Sequence, residues 1–298
     1  MSIFKTFTDG LRLAFEHRRL ACRLWLVNFL YSLLVILPLA FLIHGGASRS
    51  LAAADILARA DVHWLTDLSA RYTNAAPLFI GLLLAAVAFY LLLTVFLNGG
   101  VIGNLLRTGS RPTLAEFFHD CGLCFWRFLR LALLSLPFYL LFAGVLHGLV
   151  AALLKALTRR AATEWPVLAA NVLRLLALAL LLGLVSMLFD YVKIGLARSG
   201  RRSVLKETWL TLKFIIRRFF GAWALYLLAG LVFVALTLLY LEVARILPHG
   251  RPLLVLLAFL WQQMYILGRQ ASRVVFYATE FEFVKQNPTA APEENREE

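Results

Sequence analysis

The chain has 298 residues, 61% of them hydrophobic and 16% charged, with a mean hydropathy of +0.78 and a formal net charge of +13. That apolar fraction is well above what a water-soluble domain carries, so it excludes an ordinary soluble enzyme or binding module and implies a bilayer. The excess of positive charge calls for no nucleic-acid partner, because the cytoplasmic loops of membrane proteins collect Lys and Arg.

From the N-terminus, Phe4, Phe7, Leu11, Ala14 and Phe15 recur at helical spacing on one face, while Lys5, Asp9, Arg12 and Glu16 form another. This pattern predicts an amphipathic helix lying in the membrane interface. The first apolar run, Leu24–Ile43, has 20 residues. It exceeds the roughly 7–15 residues of a signal-peptide core and is read as a retained span. In the loop that follows, Asp55, Arg59, His63, Asp67 and Arg71 stand four apart beside a stripe of Ile56, Ala60, Trp64, Leu68 and Tyr72. They predict a helix resting on the membrane, laced by acid-to-base pairs. Asp61, His63 and Asp67 are metal-ligand types, but the ladder already accounts for them and no metal or other cofactor is predicted.

Leu78–Leu97 is the second predicted span, and "RTGSRPTLAE" at Arg107–Glu116 leads into a second amphipathic stretch through Leu114, Phe117, Cys121 and Phe125. Cys121-Gly122-Leu123-Cys124 is a CxxC with no second copy. It reads as small apolar residues on a lipid-facing helix in a reducing compartment rather than as a metal or redox site. Two spans follow, Leu131–Leu154 and Val167–Phe189, then the half-charged joint "RSGRRSVLKE" at Arg198–Glu207. A third amphipathic stretch runs through Leu205, Trp209, Leu212 and Ile216, followed by spans Phe219–Leu241 and Leu253–Leu267. Beyond "GRQASR" the last helix is expected to run on through "VVFYATEFEF", and the acidic, Pro-containing tail 286–298 to be disordered. Gly109 and Gly200 are placed at helix ends, Ser110 and Ser203 at the following helix starts. Pro38 and Pro137 stand at similar depths in two outgoing spans, where each is expected to kink its helix.

Six spans with both termini cytoplasmic put 21 of the 30 Lys and Arg residues inside and nine outside. Omitting a span would move the C-terminal basic residues to the other side. The two joints also align without a gap at an offset of 91: Arg107, Gly109, Arg111, Leu114 and Glu116 meet Arg198, Gly200, Arg202, Leu205 and Glu207. An offset of 111 pairs Phe7, Asp9, Arg19 and Leu20 with Phe118, Asp120, Arg130 and Leu131. The expected architecture is therefore an all-α membrane protein, a single polytopic domain over 1–285. Its six transmembrane helices form three pseudo-repeats, each an amphipathic inner helix plus a transmembrane hairpin, with limits near 1–109, 110–200 and 201–285.

Ionisable residues are scarce within the spans, and no HExxH, GxSxG, Walker or dinucleotide-binding motif stands in a suitable context, so catalysis is not supported. Two sets of site residues remain. Arg107, Arg111, Arg198, Arg201 and Arg202 form a candidate contact for anionic lipid or a protein partner at the cytoplasmic face. Asn28, Asn98, Asn171, Gln262 and Gln263 form a candidate intramembrane polar set, the bland alternative being interhelical hydrogen bonds.

The segments "WLVNFL", "NGGVIGNLLRTG" and "DYVKIGLARSG", with the inner aromatic helix before the first span, resemble uncharacterised six-span bacterial integral membrane proteins. These include the membrane-domain families found beside glycerophosphodiester phosphodiesterases. The resemblance implies the bacterial inner membrane. No phosphodiesterase catalytic residues are recognisable, and that activity is not carried over. The expected function is non-enzymatic: handling of lipid or small hydrophobic molecules, or service as the membrane subunit of a larger complex. A secondary transporter with a site between repeats and a membrane-embedded enzyme are the alternatives.

Overall fold

The structure, a computed structural model, describes residues 2–47, 75–107, 113–159, 163–200, 203–246 and 252–287. The predicted outer-loop helix with His63, the joint residues Gly109, Ser110, Arg111, Arg201 and Arg202, and most of the tail lie outside them.

Among the described residues the chain is all helical, in the order α1 Ile3–Glu16, α2 Arg18–Ala47, α3 Ala75–Leu106, α4 Leu114–Leu140, α5 His147–Thr158, α6 Glu164–Ser199, α7 Val204–Arg217, α8 Phe219–Ile246 and α9 Pro252–Gln286. Five stretches are long and apolar enough to cross a membrane: Arg18–Leu37, Ile80–Leu106, Leu114–Thr158, Glu164–Ser199 and Phe219–Ile246. That is the make-up of a multi-pass membrane protein. α9 is long enough, but Gln262, Gln263 and the charged residues from Arg269 onward dilute its apolar run.

Helix ends follow from local chemistry. Thr113 caps α4, accepting a hydrogen bond from the Glu116 amide while the Glu116 carboxylate accepts one from the Thr113 amide, a capping box worth ~1 kcal/mol. Thr113 thus takes the role expected of Ser110, three residues further on, because only it places a glutamate at the third helical position. Ser203 caps α7 as expected, accepting from the Lys206 amide. Gly200 ends α6 at φ 66°, a left-handed conformation that favours glycine. Four residues after Pro137 the helix widens into a π turn, Leu141–Leu146, before α5 resumes.

The chain divides into two compact units, Cys22–Thr94 and Met1–Ala21 with Val95–Glu298. The smaller unit is a hairpin of α2 and α3. Tyr31 of α2 donates a hydrogen bond to the Ala86 carbonyl and stacks on Phe89 and Tyr90, with ring centroids 5.8 and 5.6 Å away.

In the larger unit, two hairpins are clasped in the same style. Tyr139 of α4 meets the Ser186 hydroxyl of α6 at 3.0 Å. Tyr240 of α8 stacks on Tyr265 of α9 at 4.3 Å, and the Trp261 indole donates to the Tyr240 carbonyl. Burial is confined to one end. Buried positions of α6 begin at Val185, those of α8 are Ala222, Leu225 and Ala229, and those of α9 begin at Gln270. The remaining halves of these helices expose Leu168, Leu175, Leu231, Leu239, Leu253 and Leu260 among others.

Close approach of backbones organises that buried end. A Cβ on Gly99, Gly100 or Gly103 of α3 would fall on Asp120, Cys121 or Phe117 of α4, so these glycines make a ledge on which the start of α4 rests. α1 packs on α9 through Thr6, Gly10 and Ala14, and Thr6 donates to Gln286 at 2.6 Å. The buried stripe of α1 is thus its small residues, while Phe4 and Phe15 stay about 70% exposed. In α7, likewise, Leu205, Trp209 and Ile216 are exposed and Val204, Thr211, Phe214 and Ile215 are buried. These exposed residues belong to the faces the hydrophobic pattern assigned to the interface. Ala14 of the same face of α1 is buried, however, as are Phe117 and Cys121 of the corresponding face of α4, because α9 and the glycines of α3 approach there.

A Cβ on Gly10 would lie 2.6 Å from the Thr279 Cα. Gly10→Val should therefore push α1 off α9 and lower stability by about 1–3 kcal/mol. Limited proteolysis should show earlier cleavage within α1, and thermal unfolding in detergent a lower midpoint. Gly122→Val, at a position with nothing within 4 Å, should leave both unchanged.

Candidate functional site

At the buried end of the larger unit, the last turns of α3 and α6 meet the middle of α9. Asn98 comes from α3, Asp190 and Lys193 from α6, and Arg273, Tyr277 and Glu280 from α9. On α6 the acid and base stand three apart, and on α9 the three residues are spaced by four and three, so each set shares one helix face.

Tyr277, 3% exposed, is the hub. Its hydroxyl donates to Asn98 Oδ1 at 2.9 Å, lies 3.4 Å from Asp190 Oδ1 and accepts from Lys193 Nζ at 3.3 Å. Lys193 Nζ also donates to Asp190 at 2.6 Å, and the Arg273 guanidinium donates to Asn98 Oδ1. The Asn98 carboxamide oxygen therefore accepts from two residues of α9, holding the end of α3 against it. Burial, reinforced by the Asp190 charge, raises the Tyr277 hydroxyl above the ordinary tyrosine range and keeps it a donor.

One turn beyond Tyr277 sits Glu280, 1% exposed. Among the described residues neither of its carboxylate oxygens has a hydrogen-bond partner. Burial pushes its carboxyl well above the usual carboxylate range, and the Asp190 charge adds to the shift. The Tyr191 hydroxyl on α6 is likewise buried and unpartnered.

A second polar contact braces the joint between α3 and α4. Arg107 donates to Asp120 at 2.7 Å and pairs with Glu116 at 3.4 Å. Its guanidinium is thus engaged within the chain, whereas Arg198 is exposed at the end of α6. The intramembrane polar set is dispersed. Asn98 joins the network, Asn28 donates to the Leu24 carbonyl of its own helix at 2.7 Å, Asn171 and Gln262 are exposed, and Gln263 is half-buried. Cys121 and Cys124 do not face lipid as expected: they are buried free thiols, because Gly99 and Gly100 let α3 approach closely there. No group of three or more His, Cys, Asp or Glu side chains is placed to hold a metal among the described residues.

Sequence reasoning did not single out Lys193, Arg273, Tyr277 or Glu280. A signal was present: in a chain with few acids, 273, 277 and 280 share one helix face beside the apolar face of Val274, Ala278 and Phe281.

Removing one member of a buried ion pair strands the other. Lys193→Met should destabilise the protein by about 3 kcal/mol, and Asp190→Asn combined with Lys193→Met should recover more than half of that loss. Denaturant titration of the single and double variants checks this. Searches for similar proteins found no family model, curated protein or solved structure that matches this chain.

Proposed function

We propose that the protein is a non-enzymatic membrane protein that handles lipid or small hydrophobic molecules, alone or as the membrane subunit of a larger complex. The observation that carries this reading is the one-ended packing. Helices that bury no side chain over their outer halves present apolar walls on most sides, and lipid or a lipid-like molecule is the material that covers such walls. The amphipathic helices support it, because they pair exposed rings with cations: Lys213 Nζ lies 5.2 Å from the Trp209 ring centroid and the Arg18 guanidinium 5.8 Å from that of Phe15. Aromatic rings beside basic side chains suit the headgroup boundary of an anionic membrane.

In this reading the membrane is the bacterial inner membrane, α9 supplies the sixth span over Leu253–Leu267 and both termini are cytoplasmic. Each of three repeats contributes an inner amphipathic helix and a hairpin. One tyrosine clasp per hairpin, at Tyr31, Tyr139 and Tyr240, supports the threefold organisation. The network at Tyr277 favours a second reading, a secondary transporter, since it gathers ionisable groups where the returning helices of the three repeats converge.

Orientation is tested by single cysteines at Ser48, Ser110, Thr163 and Ser203 in a background without the three native thiols. An impermeant reagent applied from outside should label the first and third, and not the second or fourth. The reverse pattern would refute the six-span, N-inside arrangement. Lipid contact is tested by changing Arg111, Arg198, Arg201 and Arg202 together to Lys, leaving Arg107 to brace Asp120. Arg grips phosphate through a planar fork and Lys through a point charge, so insertion should be preserved while co-purified anionic lipid falls several-fold by mass spectrometry. Unchanged lipid content with correct topology would reduce these arginines to topology signals.

A further inference from the structure

The Glu280 carboxylate is the least accounted-for group in the polar network, and its position is fixed from both sides. Tyr277, three residues before it, touches Asp190 and Lys193. Phe283, three residues after it, packs on the Tyr191 ring with centroids 6.1 Å apart. Residues at that spacing share a helix face, so Glu280 is directed at α6 between the Asp190–Lys193 pair and Tyr191. The other helices around it bring no free cation to it among the described residues. α8 presents Tyr226 through its contact with Phe276, and α1 presents Thr6, Asp9 and Gly10 toward Thr279 and Gln286. Lys193 donates to Asp190, and Arg273 donates to Asn98.

We propose that Glu280 is a proton-binding site that ties α9 to α6 in its loaded form and loosens them when it empties. The inference is independent of the lipid-handling reading. Loading takes one proton from water onto a Glu280 oxygen, forming an O–H bond, and emptying returns that proton to water. With every group ionised the four charges of Asp190, Glu280, Lys193 and Arg273 cancel. An ionised Glu280 must still reside without a hydrogen bond in a site closed to solvent, which desolvation makes less favourable than the neutral acid. A proton fits better than a metal cation, because the Lys193 ammonium already occupies the cation position beside Asp190 and would repel a second one. Once ionised, Glu280 competes with Asp190 for Lys193, and the contact that holds α6, α9 and Asn98 of α3 together is shared between two acids. Raised occupancy of the proton in the native state has a definite sign. The folded protein holds a proton that the unfolded chain releases above about pH 4.3, so this group's contribution to stability declines as pH rises through the window up to its native value.

The test compares wild type with Glu280→Gln, the neutral isostere, by thermal unfolding in detergent at a fixed scan rate from roughly pH 6 to pH 9. The variant should already lead at the acidic end, because there the unfolded wild-type chain has released the Glu280 proton that the folded protein keeps. The variant should gain on the wild type by on the order of 3 °C per pH unit until native Glu280 ionises. A midpoint difference that stays constant with pH would overturn the proposal. Infrared difference spectroscopy of wild-type protein carrying 13C-labelled glutamate reads the same proton without any variant. A shifted carbonyl stretch of a protonated glutamic acid should be present near neutral pH and disappear on alkaline titration. Its absence at neutral pH would refute the site even if Glu280→Gln did not fold.

Discussion

Within a bilayer, apolar side chains gain little by leaving lipid for one another, so helices are held together by close backbone approach and by polar groups that have nowhere else to bond. The Tyr277 hydroxyl and the Asn98 carboxamide meet that constraint here, and the buried end of the larger unit is organised around them. Asn98 lies immediately before Gly99 and Gly100. The residue that anchors α3 to α9 therefore also begins the ledge on which α4 sits. α6 enters the same knot through Asp190 and Lys193, and its following turn, at Gly195, leaves room for the Glu207 side chain of α7. Loss of Asn98 would thus be felt by four helices at once.

The contrast between the two ends of the helices follows from the same constraint. Toward the joints, the chain supplies glycines, carboxylates, amides and tyrosine hydroxyls, which supply the close contacts and directional bonds that lipid cannot replace. Toward the other end it supplies Leu, Val and Phe almost without interruption, and there the hairpins are joined by aromatic clasps and isolated polar contacts such as Arg174 with His147 and Thr237 with Tyr265. The molecule is firm where its sequence is polar and open where it is uniformly apolar, the reverse of the usual relation in water.

Much of this was legible in the residues. The apolar runs located the helices, Gly200 and Ser203 marked a stop and a start, and the period of α1 and α7 identified their exposed aromatic faces. The buried faces of those two helices were harder to read, because Thr6, Gly10 and Ala14 form a stripe of small residues whose value depends on what approaches it, in this case Thr279. The same holds for the polar knot. Asn98, Asp190 and Tyr277 are separated by about 90 residues along the chain, and each by itself resembles a residue at a helix end. Local pattern reports which face a residue occupies. It does not report that three such faces coincide. Arg107 illustrates the converse: its place in a basic joint suggested a surface role, yet Asp120, one helix further on, captures it.

The unbroken run of α9 has a mechanical consequence. At 1.5 Å per residue its 35 residues make a rod of about 50 Å. Its apolar half is gripped mainly by the Tyr240–Tyr265 and Trp261 clasp, and its polar half by α1, α6 and the end of α3. Between Ser272 and Gln286 the helix carries neither proline nor glycine, so it offers no ready hinge there. The contacts of Gln286 with Thr6 and Asp9 therefore sit at the tip of a rod without such a hinge, and α1 holds α9 at the end farthest from the aromatic clasp.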